Sequence, residues 1–101
     1  MDADLLRDLE HQVNALPIKA AFIFGSYAKG TQTSDSDIDL LVITDDLSKI
    51  TAKAAFKPLG RKLNKEIDVI AISSAEFAAI DHTNDGFWSA VLKNAIPLKT
   101  E

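Results

Sequence analysis

Residues 25–40, Gly-Ser-Tyr-Ala-Lys-Gly-Thr-Gln-Thr-Ser-Asp-Ser-Asp-Ile-Asp-Leu, decide how this chain folds. The Gly-Ser pair directly follows an apolar run, Ala20 to Phe24, and Asp37 and Asp39 open a second one, Leu40 to Ile43. Two short apolar runs separated by a polar, glycine-punctuated segment read as two strands and a loop. The loop sets small residues beside two carboxylates on one strand, an arrangement suited to a phosphate-bearing ligand and a divalent cation.

On a strand, side chains alternate faces, so Asp37 and Asp39 point the same way. Their Cα atoms stand ~6.5–7 Å apart, and their carboxylates can converge to about 4 Å. At that distance two bare carboxylates repel by roughly 4 kcal/mol at an effective dielectric of about 20. A cation reverses the sign. Mg²⁺ suits the pair because it takes hard oxygen ligands at ~2.0–2.1 Å and shares them with substrate phosphates. Asp68 interrupts a third apolar alternation, Glu66-Ile67-Asp68-Val69-Ile70. Glu66 has the same face parity, so spacing does not choose between them. Three carboxylates around two metal ions can align an attacking hydroxyl with a phosphorus and stabilise the leaving oxygen, and the third can accept the hydroxyl's proton. Isolated Asp-x-Asp sequences are more often solvated turns. Here the pair leads straight into an apolar strand, where unpaired charge is costly, and that favours a site. Asp35 reads as a turn residue.

Gly25 lacks a Cβ, so the backbone can approach an oxyanion and adopt positive φ. Ser26 supplies a hydroxyl donor, and a helical turn over 27–29 ended by Gly30 would offer amides to an anion. Lys29 is within reach of a phosphate. The loop is not of the Walker type, which ends in Gly-Lys-Ser/Thr.

The remaining elements follow from periodicity. Leu5, Leu9 and Val13 predict a helix over 3–15, with Asp2 and Asp4 at its N-terminus and Pro17 beyond its end. Strands are predicted over 18–24, 37–44 and 66–72. Residues 48–64 predict a helix kinked or divided near Pro58, with Ile50, Ala54, Ala55, Leu59 and Leu63 inward. Ser73 and Glu76 form a candidate capping box. A helix over 86–94 is expected to bury Phe87, Val91 and either Trp88 or Leu92, and 95–98 could form an edge strand limited by Pro97. The fold class is α/β or α+β, a sheet with helices packed on it.

The chain has 101 residues, 47% hydrophobic and 26% charged, which predicts one domain with its own core. The net charge of −4 argues against a duplex-binding module. With no cysteine there is no disulfide, thiol catalysis or cysteine zinc site. No apolar run approaches a membrane span, and the acidic start Met-Asp-Ala-Asp is unlike a signal peptide, so a cytoplasmic protein is expected. His11 and His82 have no second histidine nearby in sequence to suggest a zinc site. Arg61, Lys62 and Lys65 read as a solvated helix end.

The stretch Gly25-Ser26-x-Ala28-x-Gly30 with Ser36-Asp37-Ile38-Asp39-Leu40 resembles the signature of the DNA polymerase β-like nucleotidyltransferase superfamily. The short length, with Asp68 downstream, resembles its minimal nucleotidyltransferase (MNT) branch. The resemblance implies a mixed sheet flanked by helices and two Mg²⁺ ions, with Asp37, Asp39 and Asp68 as catalytic metal ligands. It implies Gly25 and Ser26, with Lys29, at the triphosphate of ATP. It also implies a hetero-oligomer with a HEPN-domain toxin, with this chain as antitoxin transferring AMP to the partner. The resemblance also implies that larger relatives carry a helical domain for the acceptor and the base, which is not expected within these 101 residues. The alternatives are an antitoxin that masks its partner without catalysis, and the catalytic subunit of an aminoglycoside-type nucleotidyltransferase.

Overall fold

The computed structural model describes residues 2–81 and 84–100. The first helix, α1 (Ala3–Asn14), starts at Asp2, whose carboxylate accepts a hydrogen bond from the Asp4 amide at 2.9 Å. It buries Leu5, Leu9 and Val13, the predicted stripe, and ends before Pro17. Strand β1 (Ala20–Phe24) runs into the single turn α2 (Ser26–Lys29), closed by Gly30 in the left-handed region. Strand β2 (Ile38–Ile43) follows, then α3 (Lys49–Ala55), α4 (Lys57–Leu63) and β3 (Ile67–Ile72). Helices α5 (Ser74–Ala78) and α6 (Gly86–Lys93) lead to β4 (Ile96–Lys99).

The sheet is mixed, in the order β3-β2-β1-β4. Strand β1 pairs antiparallel with β2 and with β4, while β2 and β3 are parallel. A parallel pair needs a crossover, and α3–α4 supply it. Pro97 lies on the edge strand, as its missing N–H requires. Alternation along β2 sends Ile38, Leu40 and Val42 to a core shared with α1, α3 and α4. Leu41 and Ile43 go to a smaller core with Ile72, Val91, Phe77 and Trp88 under α5 and α6. Asp39 shares the parity of Leu41, so the acids open on the α5–α6 side.

Two packing expectations are corrected. In the 48–64 segment Ile50 is 82% exposed and Ala54 is exposed, while Ala52 and Phe56 are buried. The segment breaks at Phe56, and Pro58 falls in the first turn of α4 instead of a helix interior. A stripe drawn through one continuous helix is therefore out of phase on its first half. In α6, Phe87 is 57% exposed and packs edge-on against Trp88, leaving Trp88, Val91 and Leu92 to the core. The capping box forms as predicted: Ser73 Oγ accepts from the Glu76 amide, and Glu76 Oε1 accepts from the Ser73 amide, both at 3.0 Å. His11 is exposed, and His82 lies outside the described residues.

Candidate active site

The parallel register brings the acids of two strands together. Asp39 stands opposite Asp68, and Ile38 opposite Ile67. The ladder continues one step outward, where the Ile38 amide donates to the Glu66 carbonyl at 2.9 Å. Asp37 and Glu66 thus flank the outer rung, and Asp39 and Asp68 form the inner one. One carboxylate oxygen from each of Asp37, Glu66 and Asp68 lies within 4.8 Å of the other two, and all three residues are exposed. Glu66 and Asp68 could not be separated by spacing, and the structure brings both into the group.

Asp39 is half-buried and turned toward Gly25. A Cβ built on Gly25 would sit 2.1 Å from Asp39 Oδ2. Gly25 itself has φ +73° and ψ −147°, a conformation that side-chain-bearing residues avoid. The loop therefore needs glycine there twice over, for its backbone and for the acid beside it. Ser26 opens α2 half-buried, Tyr27 is buried in the core, and Lys29 is exposed in the last turn of α2. Asp35 sits in the turn, as read from sequence, with its amide donating to Thr33 Oγ1 at 3.3 Å.

The electrostatics follow from this crowding. Burial, then the charge of Asp68, then that of Asp37 raise the Asp39 pKa above its ordinary value. Asp68 is exposed as a residue, but partial desolvation of its carboxyl, the charge of Asp37 and a side-chain hydrogen bond with Asp37 raise its pKa too. Among the described residues no lysine, arginine or histidine forms an ion pair with Asp37, Asp39, Glu66 or Asp68. Lys65 is adjacent in sequence to Glu66, yet its Nζ donates to the Ser34 carbonyl. Hard oxygen donors gathered without a cationic partner fit a divalent cation.

A glycine-opened turn thus stands beside acids carried by two adjacent parallel strands. The polymerase β nucleotidyltransferase family model matches residues 9–86, and the chain belongs to that family. It is 35% identical over 72 residues to the protein adenylyltransferase MntA of Shewanella oneidensis. That match covers 70% of this chain and 48% of the relative, so the chain spans about half the length of that protein. In structure it is similar to a chain of a toxin–antitoxin complex with AMP-PNP, with a TM-score of 0.71 at 20% identity, covering 95% of this chain and 73% of the other. It is also similar to a chain of the tri-AMPylated Shewanella oneidensis HEPN toxin in complex with MNT antitoxin, with a TM-score of 0.67 at 16% identity. That alignment covers 100% of this chain and 74% of the other. These likenesses bear out the mixed, helix-flanked sheet expected of the family. Among the described residues no helix is long and apolar enough to cross a membrane.

Proposed function

We propose that the chain is an Mg²⁺-dependent nucleotidyltransferase that moves AMP from ATP onto a hydroxyl of a partner protein, and that it is the antitoxin of a HEPN-type toxin. The observation that carries this reading is the β2–β3 register, with Asp39 opposite Asp68 and Asp37 one rung outward, beside the Gly25–Ser26 turn. Adenylyl transfer to protein is supported by the name of the MntA relative and by the AMPylated toxin in a structural neighbour. In this reading residues 1–101 form one minimal nucleotidyltransferase domain acting in the cytoplasm.

Asp37, Asp39 and Asp68 would hold two Mg²⁺ ions. When bound, such ions neutralise the triphosphate and stabilise the departing pyrophosphate. The Gly25 backbone and the Ser26 hydroxyl donate to phosphate oxygens, and Lys29 reaches the triphosphate from the end of α2. The acceptor oxygen bonds to the α-phosphorus as the bond from that phosphorus to the α,β-bridging oxygen breaks. The hydroxyl proton passes to Asp68, and pyrophosphate leaves.

The test uses ATP labelled at the α-phosphorus, with Mg²⁺, in lysate of the source cell. Wild type labels a protein band, whereas Asp37→Ala and Asp39→Ala label none while keeping native circular dichroism. Labelling that persists in either variant would remove the metal pair from the reading. A wild type that labels no protein would overturn the protein acceptor.

A further inference from the structure

The basic residues of the chain are unevenly placed. Six of the eleven fall within residues 49–65, and no acidic residue occurs from Leu47 to Lys65. Five of them recur at every fourth position: Lys49, Lys53, Lys57, Arg61 and Lys65. The break between α3 and α4 leaves Phe56 in the right-handed region (φ −96°, ψ −5°), so this spacing runs as a row down one side of both helices. The ends of the row are engaged, Lys49 with Glu76 at 3.2 Å and Lys65 with the Ser34 carbonyl. Its middle is not. Among the described residues, the exposed Lys53, Lys57 and Arg61 form no ion pair. Beside them, each three residues earlier, Ile50, Ala54 and Pro58 form an exposed apolar row.

We propose that this face of α3 and α4 is the surface on which the partner protein docks, and that the segment it receives is acidic, with carboxylates facing Lys53, Lys57 and Arg61 and apolar side chains against Ile50 and Ala54. The inference rests on the reading of the acceptor as a protein. Cations four residues apart on a helix repel one another, and a row of carboxylates relieves that repulsion. The pitch also fits. Positions i and i+4 stand about 6 Å apart along a helix, and alternate residues of an extended chain ~6.6–6.8 Å apart, so acids at every second position of an extended segment meet all three cations. The row leads toward the candidate site. A cavity of about 510 Å³ between α4 and the start of β3 is lined by Lys57 and Arg61 together with Phe56, Ile67 and Glu66. Glu66 in turn has a carboxylate oxygen within 4.8 Å of oxygens from Asp37 and Asp68. A segment seated on the row therefore extends to the acids where the proposed transfer takes place. A nucleic-acid strand suits the face less well. Its uniformly charged backbone would continue onto Glu66 and the acids beyond, and it gains nothing from the apolar row. A peptide carries negative charge only where it meets the cations.

The probe is a fluorescein-labelled peptide with glutamate at every second position and leucine or serine between, added to the full chain without ATP or metal and followed by fluorescence anisotropy. Wild type binds it, and binds the same peptide with glutamine in place of glutamate about tenfold less well, the combined effect of several individually modest surface pairs. Lys53→Gln/Lys57→Gln/Arg61→Gln loses affinity for the glutamate peptide by about the same factor. Ile50→Ser loses about threefold, as expected for exposing less apolar surface to the peptide. Arg7→Gln/Lys93→Gln/Lys99→Gln, which removes three cations elsewhere, stays within about twofold of wild type. Equal binding of the two peptides by wild type, or unchanged binding by the first triple variant or by Ile50→Ser, overturns the proposal. So does an equal loss in the second triple variant, which would reduce the effect to net charge. Tighter binding of single-stranded oligouridylate than of the peptide would assign the face to nucleic acid and overturn it as well. Because neither ATP nor metal is present, docking is read independently of AMP transfer, whose failure shows separately in the α-phosphorus labelling. Circular dichroism of every variant reports whether its fold is retained.

Discussion

A methyl group at position 25 would collide with the acid the turn is built around. Gly25 meets two demands, a backbone region with φ +73° and a clearance of 2.1 Å from its would-be Cβ to Asp39 Oδ2. Gly30 also has positive φ, but a Cβ there would meet nothing within 4 Å, so only its backbone matters. The two glycines should therefore respond differently to alanine. Gly25→Ala is expected to lower stability by about 1–3 kcal/mol through backbone strain alone, and to displace the Asp39 carboxylate as well. Gly30→Ala should cost stability comparably or less and leave the acids in place. Urea midpoints report the first effect, and AMP transfer by each variant at matched folded fraction reports the second. Equal transfer by the two variants would mean that Asp39 does not depend on the shape of the turn.

At the scale of elements, a latch holds the other end of the sheet. Asp45, just past β2, accepts the Ser74 hydroxyl at 2.6 Å and the Ser74 amide at 3.0 Å, and pairs with Lys19 at 3.0 Å. These contacts tie the entry to β1, the exit of β2 and the start of α5 together. The Ser74 hydrogen bonds, ahead of the Lys19 contacts, lower the Asp45 pKa from 3.8 to about 2. A carboxylate whose folded pKa is lowered stabilises the fold above its unfolded value and loses that contribution as pH falls through the folded one. Glu76, lowered by the Ser73 amide and by Lys49, acts in the same direction. Stability should therefore fall as the pH drops from 3.8 toward about 2, and Asp45→Asn should flatten that slope. Urea midpoints across this range check it, and an unchanged slope would show the latch to be idle. Strand positions, the capping box and the edge strand at Pro97 were all legible in the sequence because each rests on local alternation or on a single residue's chemistry. The α3–α4 stripe was not, since the break at Phe56 resets the helical phase and turns Ala52 inward and Ile50 outward. Nor was the membership of Glu66 in the acidic group, because parity within one strand says nothing about register with its neighbour. The parallel β2–β3 pairing is a long-range fact, and only that pairing sets the two strands' acids side by side.

Over the whole molecule, acidic residues outnumber basic ones. Fifteen acidic residues face eleven basic ones, so the four carboxylates at 37, 39, 66 and 68 equal the entire excess of −4. The remaining eleven acidic and eleven basic residues balance. A cavity of about 800 Å³ lies by α5 and α6 among Glu76, Ile80, Asp85 and Trp88, and none of Asp37, Asp39 or Asp68 lines it. In the proposed reading the acceptor hydroxyl reaches the exposed acids on the surface of a partner protein. Transfer and simple masking of that partner make opposite predictions for a single variant. Asp39→Ala removes one carboxylate and is expected to keep the fold, so in the proposed reading it should still form a complex with the toxin partner. If protection depends on AMP transfer, cells expressing the toxin with Asp39→Ala will arrest growth, although the two proteins still co-purify. Full protection by Asp39→Ala, with co-purification intact, would instead make binding alone the antitoxin mechanism and leave transfer incidental.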